Sequence, residues 1–405
     1  MAETGRWLSI VGIGLDGPEA LTPAARAAIE RAELVAGSER QLGLVRSLVR
    51  GDVLVWPSPL SEGVAKVLAR RGRSTCVLAS GDPFLFGIGA LLAPAVPREE
   101  FVCHPQPSSL SLAAGRLGWP MQDTELISLH GRDLNEVIRY LVPGRRLLAL
   151  SWNRRTPAEL ARLLIDRGFG RSLLHVLEDL GGSKERLRSV TAADFALDDI
   201  GDLNLIGLEP LADASALVLP CRASLPDSAF EHDGQLTKRD LRAITLSALA
   251  PRPGALLWDV GAGSGSIGIE WMLSHAACKA IALEQDPVRC GRIRRNALAL
   301  GVPALQVIEA SAPAGLLELP APDAVFIGGG AREPGVLERC HAALGAGGRL
   351  VVNAVALETQ AELVAWYERY GGELCRFSFE SAGPLGSLHG LRPAMAVMQW
   401  RLTKQ

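Results

Sequence analysis

Two glycine-rich turns, each following an apolar run that reads as a strand, constrain this chain more than any other feature. The second is Leu256-Leu257-Trp258-Asp259-Val260, then Gly261-Ala262-Gly263-Ser264-Gly265-Ser266, then an apolar helix through Trp271 and Met272. Glycine is needed there because only a residue without a Cβ lets the backbone turn sharply and lie against a bound molecule. The first, Ile10-Val11-Gly12-Ile13-Gly14-Leu15, opens the chain. The stretches following the two turns are built differently, so two distinct binding halves are expected.

The 405 residues are enough for two domains of roughly 200 residues, each with its own core. Strands are expected at Leu8–Ile13, Thr75–Ser80, Glu125–Leu129, Leu147–Trp152 and Leu203–Leu208, with helices between, an alternating α/β pattern. Thr22-Pro23 marks a helix start, a capping hydroxyl before proline at the first helical position. Between Leu211 and Gln235 neither period persists, although Ala216–Leu219 has the composition of a short strand. The division is therefore residues 1–212, a linker 213–235 and residues 236–405. After the linker Thr237 is expected to cap a helix, Lys238–Leu249. Strands follow at Ala255–Val260, Lys279–Leu283, Ala304–Ile308, Ala324–Ile327, Arg349–Asn353, Glu373–Phe379 and Ala394–Trp400. The last two are separated only by a short loop around Ser381–Ser387, so they should be antiparallel neighbours at the end of a parallel sheet.

Net charge is -2, which gives the chain as a whole no electrostatic reason to seek nucleic acid or an anionic membrane. The seven cysteines (Cys76, Cys103, Cys221, Cys278, Cys290, Cys340, Cys375) are scattered without metal-ligand spacing, so no metal is expected and the thiols read as reduced. The N-terminus lacks a signal-peptide profile and no apolar run reaches membrane-spanning length, which points to a cytoplasmic protein.

Beyond the second turn, Ile281-Ala282-Leu283-Glu284 places a carboxylate at the end of the next strand, positioned to accept both ribose hydroxyls of an adenosine. Gly263-Ser264-Gly265-Ser266-Ile267-Gly268 also fits the dinucleotide pattern G-x-G-x-x-G, leaving an NAD(P)-dependent oxidoreductase as the alternative. Asp259, just before the turn, suits a cationic amine better than two phosphates. With the terminal hairpin, it favours S-adenosyl-L-methionine. Glu309-Ala310-Ser311-Ala312-Pro313 would border the adenine, Ala312 being small enough to pack on a flat ring. Gly328-Gly329-Gly330 would leave room for a large substrate or for loop movement.

In the first half, Ser80-Gly81-Asp82-Pro83-Phe84-Leu85-Phe86-Gly87 breaks a buried strand, and Asp82 could cap the next helix. Pro107-Ser108-Ser109 begins a helix with paired hydroxyls. Val11–Leu15 with Leu21-Thr22-Pro23, then Ser80–Pro83, then Pro107–Ser109 with Leu117-Gly118 resemble the tetrapyrrole methylase family. Thr237, Asp259–Gly265, Glu284, Ala310–Pro313 and Gly328–Gly330 resemble the decarboxylating precorrin C15-methyltransferase domain. The fold these resemblances imply is a class III α/β methyltransferase domain followed by a Rossmann-like class I domain. They also imply one S-adenosylmethionine per domain, methylation of a precorrin macrocycle at C5 and C15 with loss of carbon dioxide from the ring-C acetate, in cobalamin biosynthesis, and self-association. By motif position Leu15, Asp82, Leu85 and Ser109 would serve the first cofactor site. Thr237, Gly261, Ala262, Gly263, Ser264, Gly265, Glu284 and Ala312 would serve the second. The opening motif departs from the family in reading Leu15-Asp16-Gly17 where Pro-Gly is common. No residue is assigned as catalytic, because methyl transfer asks mainly for alignment in a dry pocket. His389, Arg392, Arg332, Glu333 and Asn353 are candidates for holding carboxylates or moving protons.

Overall fold

In the computed structural model, which describes residues 5–220 and 224–405, the opening alternation builds a wholly parallel sheet. Its strands are β1 Leu8–Ile13, β2 Leu34–Gly37, β3 Asp52–Val55, β4 Thr75–Ser80 and β5 Phe101–His104, ordered β3-β2-β4-β1-β5. Successive residues of β1 serve opposite faces. Ile10 joins a cluster with Val77 and Leu92, and Val11 one with Ile29, Leu42 and Leu78, as expected of a sheet covered on both sides. The helix Pro23–Arg31 starts as its sequence predicts, Thr22 Oγ1 accepting from Ala25 N at 3.2 Å. The sequence reading missed β2, β3 and β5, all only four residues long. β3 lies at the sheet edge and is mostly exposed, and its apolar run Val53-Leu54-Val55 is too short to stand out.

A second sheet contains β6 Thr124–Ser128, β7 Arg146–Leu150, β8 Leu173–Glu178, β9 Arg186–Thr191 and β10 Asn204–Glu209, in the order β6-β7-β10-β8-β9. Here simple alternation fails, since only β6 and β7 pair in parallel. β9 escaped notice because two of its six residues are arginines and Leu187 between them is exposed. Arg186 and Arg188 both pair with buried Glu178, each at 2.9 Å.

The later part of the chain forms β11 Leu256–Val260, β12 Lys279–Glu284, β13 Gln306–Glu309, β14 Ala324–Ile327, β15 Arg349–Ala354, β16 Glu373–Phe377, β17 Glu380–Leu385, β18 Leu388–Pro393 and β19 Val397–Thr403. Seven of these make one sheet, β13-β12-β11-β14-β15-β19-β16, parallel except for β19, the Rossmann-like class I arrangement. Trp258, Val325, Leu350 and Trp400 anchor its core. β16 and β19 are antiparallel neighbours as expected, but the short loop between them is in fact the two-stranded ribbon β17–β18. Gly383, Pro384 and Gly386 had masked that ribbon, because proline is tolerated where a strand edge is unpaired.

The chain divides into two compact units, Met1–Arg132 with Pro143–Ala216, and Asp133–Val142 with Leu217–Gln405. Within the stretch expected as a linker, Ala216–Leu219 is not a strand, having no regular pairing, and Cys221 lies outside the described residues. Residues 224–235 are packed: Leu225 and Phe230 are buried.

Thr237 does not cap the next helix. That helix is Arg239–Leu249, its N-cap is Lys238, and no side chain caps it. Arg242 supplies the order instead. Fully buried, it donates to Glu270 Oε1 at 2.6 Å, to Asp227 Oδ1 at 3.2 Å, and to the carbonyls of Leu225 and Thr237. Glu270, equally buried, accepts from Ser224 N at 2.7 Å and Leu225 N at 3.0 Å. One ion pair thus pins both ends of residues 224–237. Among the described residues no helix is long and apolar enough to cross a membrane, and no group of three His, Cys, Asp or Glu side chains could hold a metal ion.

Candidate functional site

In the second unit β11 gives way to a turn in which Gly261, Gly263 and Gly265 all have positive φ, 67°, 60° and 76°. A side chain would be excluded at Gly261 by space as well as by conformation, because a Cβ there would lie 2.8 Å from Gly329 O. The backbone at Gly329 thus lies against this turn, while Gly328–Gly330 are exposed and a side chain at Gly329 would meet open space. Gly261 N and Ala262 N donate to Leu283 O at 3.0 and 3.1 Å, and Gly263 N to Glu284 Oε2 at 2.9 Å. Glu284 Oε1 accepts from Asp286 N at 3.1 Å, and its carbonyl from Ala310 N at 3.1 Å. The turn, the acid and Ala310–Pro313 therefore meet at the carboxyl edge of β11, β12 and β13. Ala312 is half-buried against the core there.

Residues 231–237 complete this edge, of which the sequence motifs had given only Thr237. Ser264 Oγ donates to Gln235 O at 2.8 Å, two residues before Thr237. Asn296, on the helix Pro287–Ala299, bridges the two segments: Nδ2 donates to Ser264 O at 3.0 Å and Glu231 O at 2.9 Å, while Oδ1 accepts from Glu231 N at 2.9 Å. On the same helix Arg289 and Arg292 pair with Asp233 at 3.0 and 2.9 Å, and Arg295 pairs with Glu231 at 2.6 Å. Arg292 above all, then Gln235 N and Arg289, holds the Asp233 carboxyl far below the usual range.

Asp259 is buried. Its Oδ2 accepts from Gly268 N at 2.9 Å while Oδ1 has no partner. Burial pushes its pKa up to about 7; the Gly268 bond opposes this and the nearby Glu284 charge adds to it. Burial therefore disfavours the charged form of this carboxyl. A carboxyl that titrates near 3.8 when unfolded and about 7 here takes up a proton on folding between those values. Its presence therefore costs stability increasingly as pH rises through that window. Asp259→Asn, which keeps an acceptor for Gly268 N, should gain on the parent between pH 5 and pH 8. Denaturant midpoints at the two pH values measure this, and an equal margin at both would refute the assignment.

The other candidates near this edge are dispersed. Asn353 is engaged internally, Nδ2 donating to Thr245 Oγ1 at 3.2 Å and Oδ1 accepting from Gln399 Nε2 at 2.8 Å. Arg392 donates to Pro384 O at 2.6 Å on the ribbon, where His389 is exposed; Arg332 and Glu333 are exposed after Gly330.

In the first unit three motif segments interlock at the carboxyl ends of β1, β4 and β5. A Cβ at Gly12 would fall 1.9 Å from Gly81 O, and one at Gly81, where φ is 60°, would fall 2.7 Å from Ser108 Cα. Gly81 N donates to Ile13 O at 3.1 Å, and Gln106 N to Gly81 O at 3.3 Å. Asp82 does not cap a helix: Oδ1 accepts from Phe84 N at 2.8 Å in a tight turn, and the next helix begins only at Gly89. Leu85 packs toward the cluster under the second sheet, and Leu15 against Gly182, where a Cβ would approach Leu15 Cβ to 3.1 Å. Ser108, not Ser109, caps the helix Ser109–Leu117, accepting from Ser111 N at 3.0 Å and leaving Ser109 exposed in its first turn.

Residues 8–196 match the family model described as tetrapyrrole (corrin/porphyrin) methylases, and residues 228–404 that described as precorrin methyltransferase domain. A Sinorhizobium protein named precorrin-6Y C(5,15)-methyltransferase (decarboxylating) is 50% identical over 398 residues, 98% of this chain and 96% of its own length. A Mycobacterium tuberculosis protein of the same name is 42% identical over 399 residues, 98% of this chain and 99% of its own. A cobalt-precorrin-7 C(5)-methyltransferase of Salmonella typhimurium is 31% identical over 197 residues, 48% of this chain and 96% of its own. These relatives do not support the oxidoreductase alternative. Gly268, the third glycine of that pattern, instead lets the helix approach β11, since a Cβ there would sit 3.1 Å from Asp259 Oδ2. With such identity along nearly its whole length, the chain belongs to the S-adenosylmethionine-dependent precorrin-6Y C5,15-methyltransferase (decarboxylating) family.

Proposed function

We propose that the first unit methylates precorrin-6Y at C5 and that the second methylates C15 and releases the ring-C acetate carboxyl as carbon dioxide, giving precorrin-8X. In this reading each unit holds one S-adenosylmethionine, which supplies the methyl group. The observation that supports it is the junction of Gly263 N with Glu284 Oε2 at 2.9 Å, an acid suited to ribose hydroxyls beside a turn that excludes side chains. Glu284 would accept from the ribose hydroxyls, Ala312 would border the adenine, and Gly261, Ala262, Gly263, Ser264 and Gly265 with Thr237 would line the amino-acid portion. Asp259, next to them, favours a cationic ligand. Leu15, Asp82, Leu85 and Ser109 would fill the same role in the first unit.

The interlocked backbones would hold the cofactor in place, so that in-line approach to a ring carbon would be set by position. Decarboxylation asks the site to strip water from the acetate, whose electron pair passes into the conjugated macrocycle as carbon dioxide leaves. The reaction is placed in the cytoplasm, in keeping with six described cysteines that are all unpaired. Self-association belongs to the same proposal, supported by the ribbon's exposed Leu385, Leu388 and Leu391; light scattering of Leu388→Asp at several concentrations measures it. Incubation with precorrin-6Y and methyl-labelled donor should yield two labelled methyls and one carbon dioxide per macrocycle. Methyl transfer without carbon dioxide would contradict the assignment to the second unit.

A further inference from the structure

Arg40 lies just inside the short helix Glu39–Leu44, which follows β2, and its Nη2 donates to Ser80 Oγ at 3.0 Å. Ser80 is the last residue of β4, immediately before Gly81 and Asp82, so Arg40 stands on the same edge as the interlocked motifs. Gln41 holds the arrangement from the other side. Its Nε2 donates to Ser80 Oγ at 3.1 Å, and its Oε1 accepts from Ser38 N at 2.8 Å. A guanidinium carries five N–H donors, and the one bond seen for Arg40 goes to a neutral hydroxyl.

Several other arginines of this unit are occupied by acids. Arg70, Arg71, Arg73, Arg116, Arg186 and Arg188 each pair with a carboxylate within 3.4 Å. Arg40 is exposed, although partial burial of its guanidinium lowers its pKa and the charge of Asp179 acts in the opposite sense without forming an ion pair. Asp179 itself is held at a φ of 47°, left-handed for a residue with a Cβ. Its carbonyl accepts from Gly182 N at 2.8 Å, the glycine against which Leu15 packs. Ser80 thus links Arg40 to the turn at Gly81 and Asp82, on the carboxyl edge of the sheet.

We propose that Arg40 binds a peripheral carboxylate of the macrocycle in the first unit and so positions C5 for methylation. The proposal rests on the reading of the first unit as the C5 methyltransferase. A guanidinium gives a carboxylate two parallel hydrogen bonds, which fix orientation as well as supply affinity, whereas a lysine provides only a point charge. Ser80 and Gln41 keep the arginine side chain at the edge, so little rotamer freedom remains to be lost when the acid arrives.

The test is steady-state C5 methylation by the full chain, with Arg40→Gln, Arg40→Lys and Ser80→Ala beside the parent. Arg40→Gln should raise KM for the macrocycle about 10- to 100-fold, the loss of a charge-assisted hydrogen bond, with kcat within about threefold and S-adenosylhomocysteine affinity unchanged. Arg40→Lys should recover part of the loss. Ser80→Ala, which leaves the charge and frees its position, should raise KM only a few-fold and carries the test should Arg40→Gln fold poorly. An unchanged macrocycle KM would overturn the proposal. So would a parallel loss of S-adenosylhomocysteine affinity, which would give Arg40 to the cofactor's carboxylate instead. Failure of the parent to make a C5-methylated product would sink the underlying reading and is seen separately, before any variant is compared.

Discussion

Glu284→Ala should bind S-adenosylhomocysteine at the second site about 100-fold more weakly than the parent, roughly 3 kcal/mol, by isothermal calorimetry. Two effects combine. On the proposed assignment the ribose would lose its charged acceptor, and Gly263 N and Asp286 N lose the oxygens that hold the turn and the following loop in place. Glu284→Gln keeps one carbonyl oxygen and should lose only about tenfold, since a neutral acceptor is worth roughly half a charged one. C5 methylation should be untouched by either substitution, because Glu284 lies in the second unit. A Glu284→Ala protein with parental affinity would remove the ribose assignment.

The largest effect on stability is expected at Arg242. Arg242→Ala leaves Glu270 charged, unpaired and fully buried, and deprives the carbonyls of Leu225 and Thr237 of their donor. Breaking such a pair typically costs about 3 to 5 kcal/mol. For a unit of this size that corresponds to a fall of roughly 10 °C in its unfolding midpoint. Residues 224–237 should loosen first, and affinity at the second cofactor site should fall with them, because Gln235 rests on Ser264. Arg242→Met combined with Glu270→Leu should recover much of the stability, since no buried charge then remains. Calorimetric or denaturant unfolding of the three proteins decides this. A shift below about 1 kcal/mol in Arg242→Ala would show that the pair is not what fastens the segment.

How far the sequence was readable follows from how local each signal is. The second turn, Glu284 and Ala310–Pro313 were legible because a strand, a glycine run and an acid at the next strand's end fall in fixed order. The terminal antiparallel pair was legible because no helix separates its strands. The tie of residues 231–237 to the turn was not, because it depends on contacts between distant positions. The Asn296 bridge joins residues 65 apart along the chain. Arg289, Arg292 and Arg295 lie on one helix, and nothing in their spacing names the distant acids Glu231 and Asp233 as partners. Arg242 left a sign as well, a charge between Leu241 and Thr245 on a helix face otherwise made of Leu246 and Leu249, all buried. Thr237 looked like a cap because it precedes a helix, but capping depends on where the backbone turns, and Lys238 occupies that place. β3 and β9 escaped because edge strands can be exposed or charged on the side they do not pack.

The central claim is a pair of independent donor sites in a single chain, and counting them tests it most directly. Titration of the full-length protein with S-adenosylhomocysteine should give two sites per chain, falling to one at the same ligand concentrations in Glu284→Ala. A parent that saturates with a single equivalent would contradict the account.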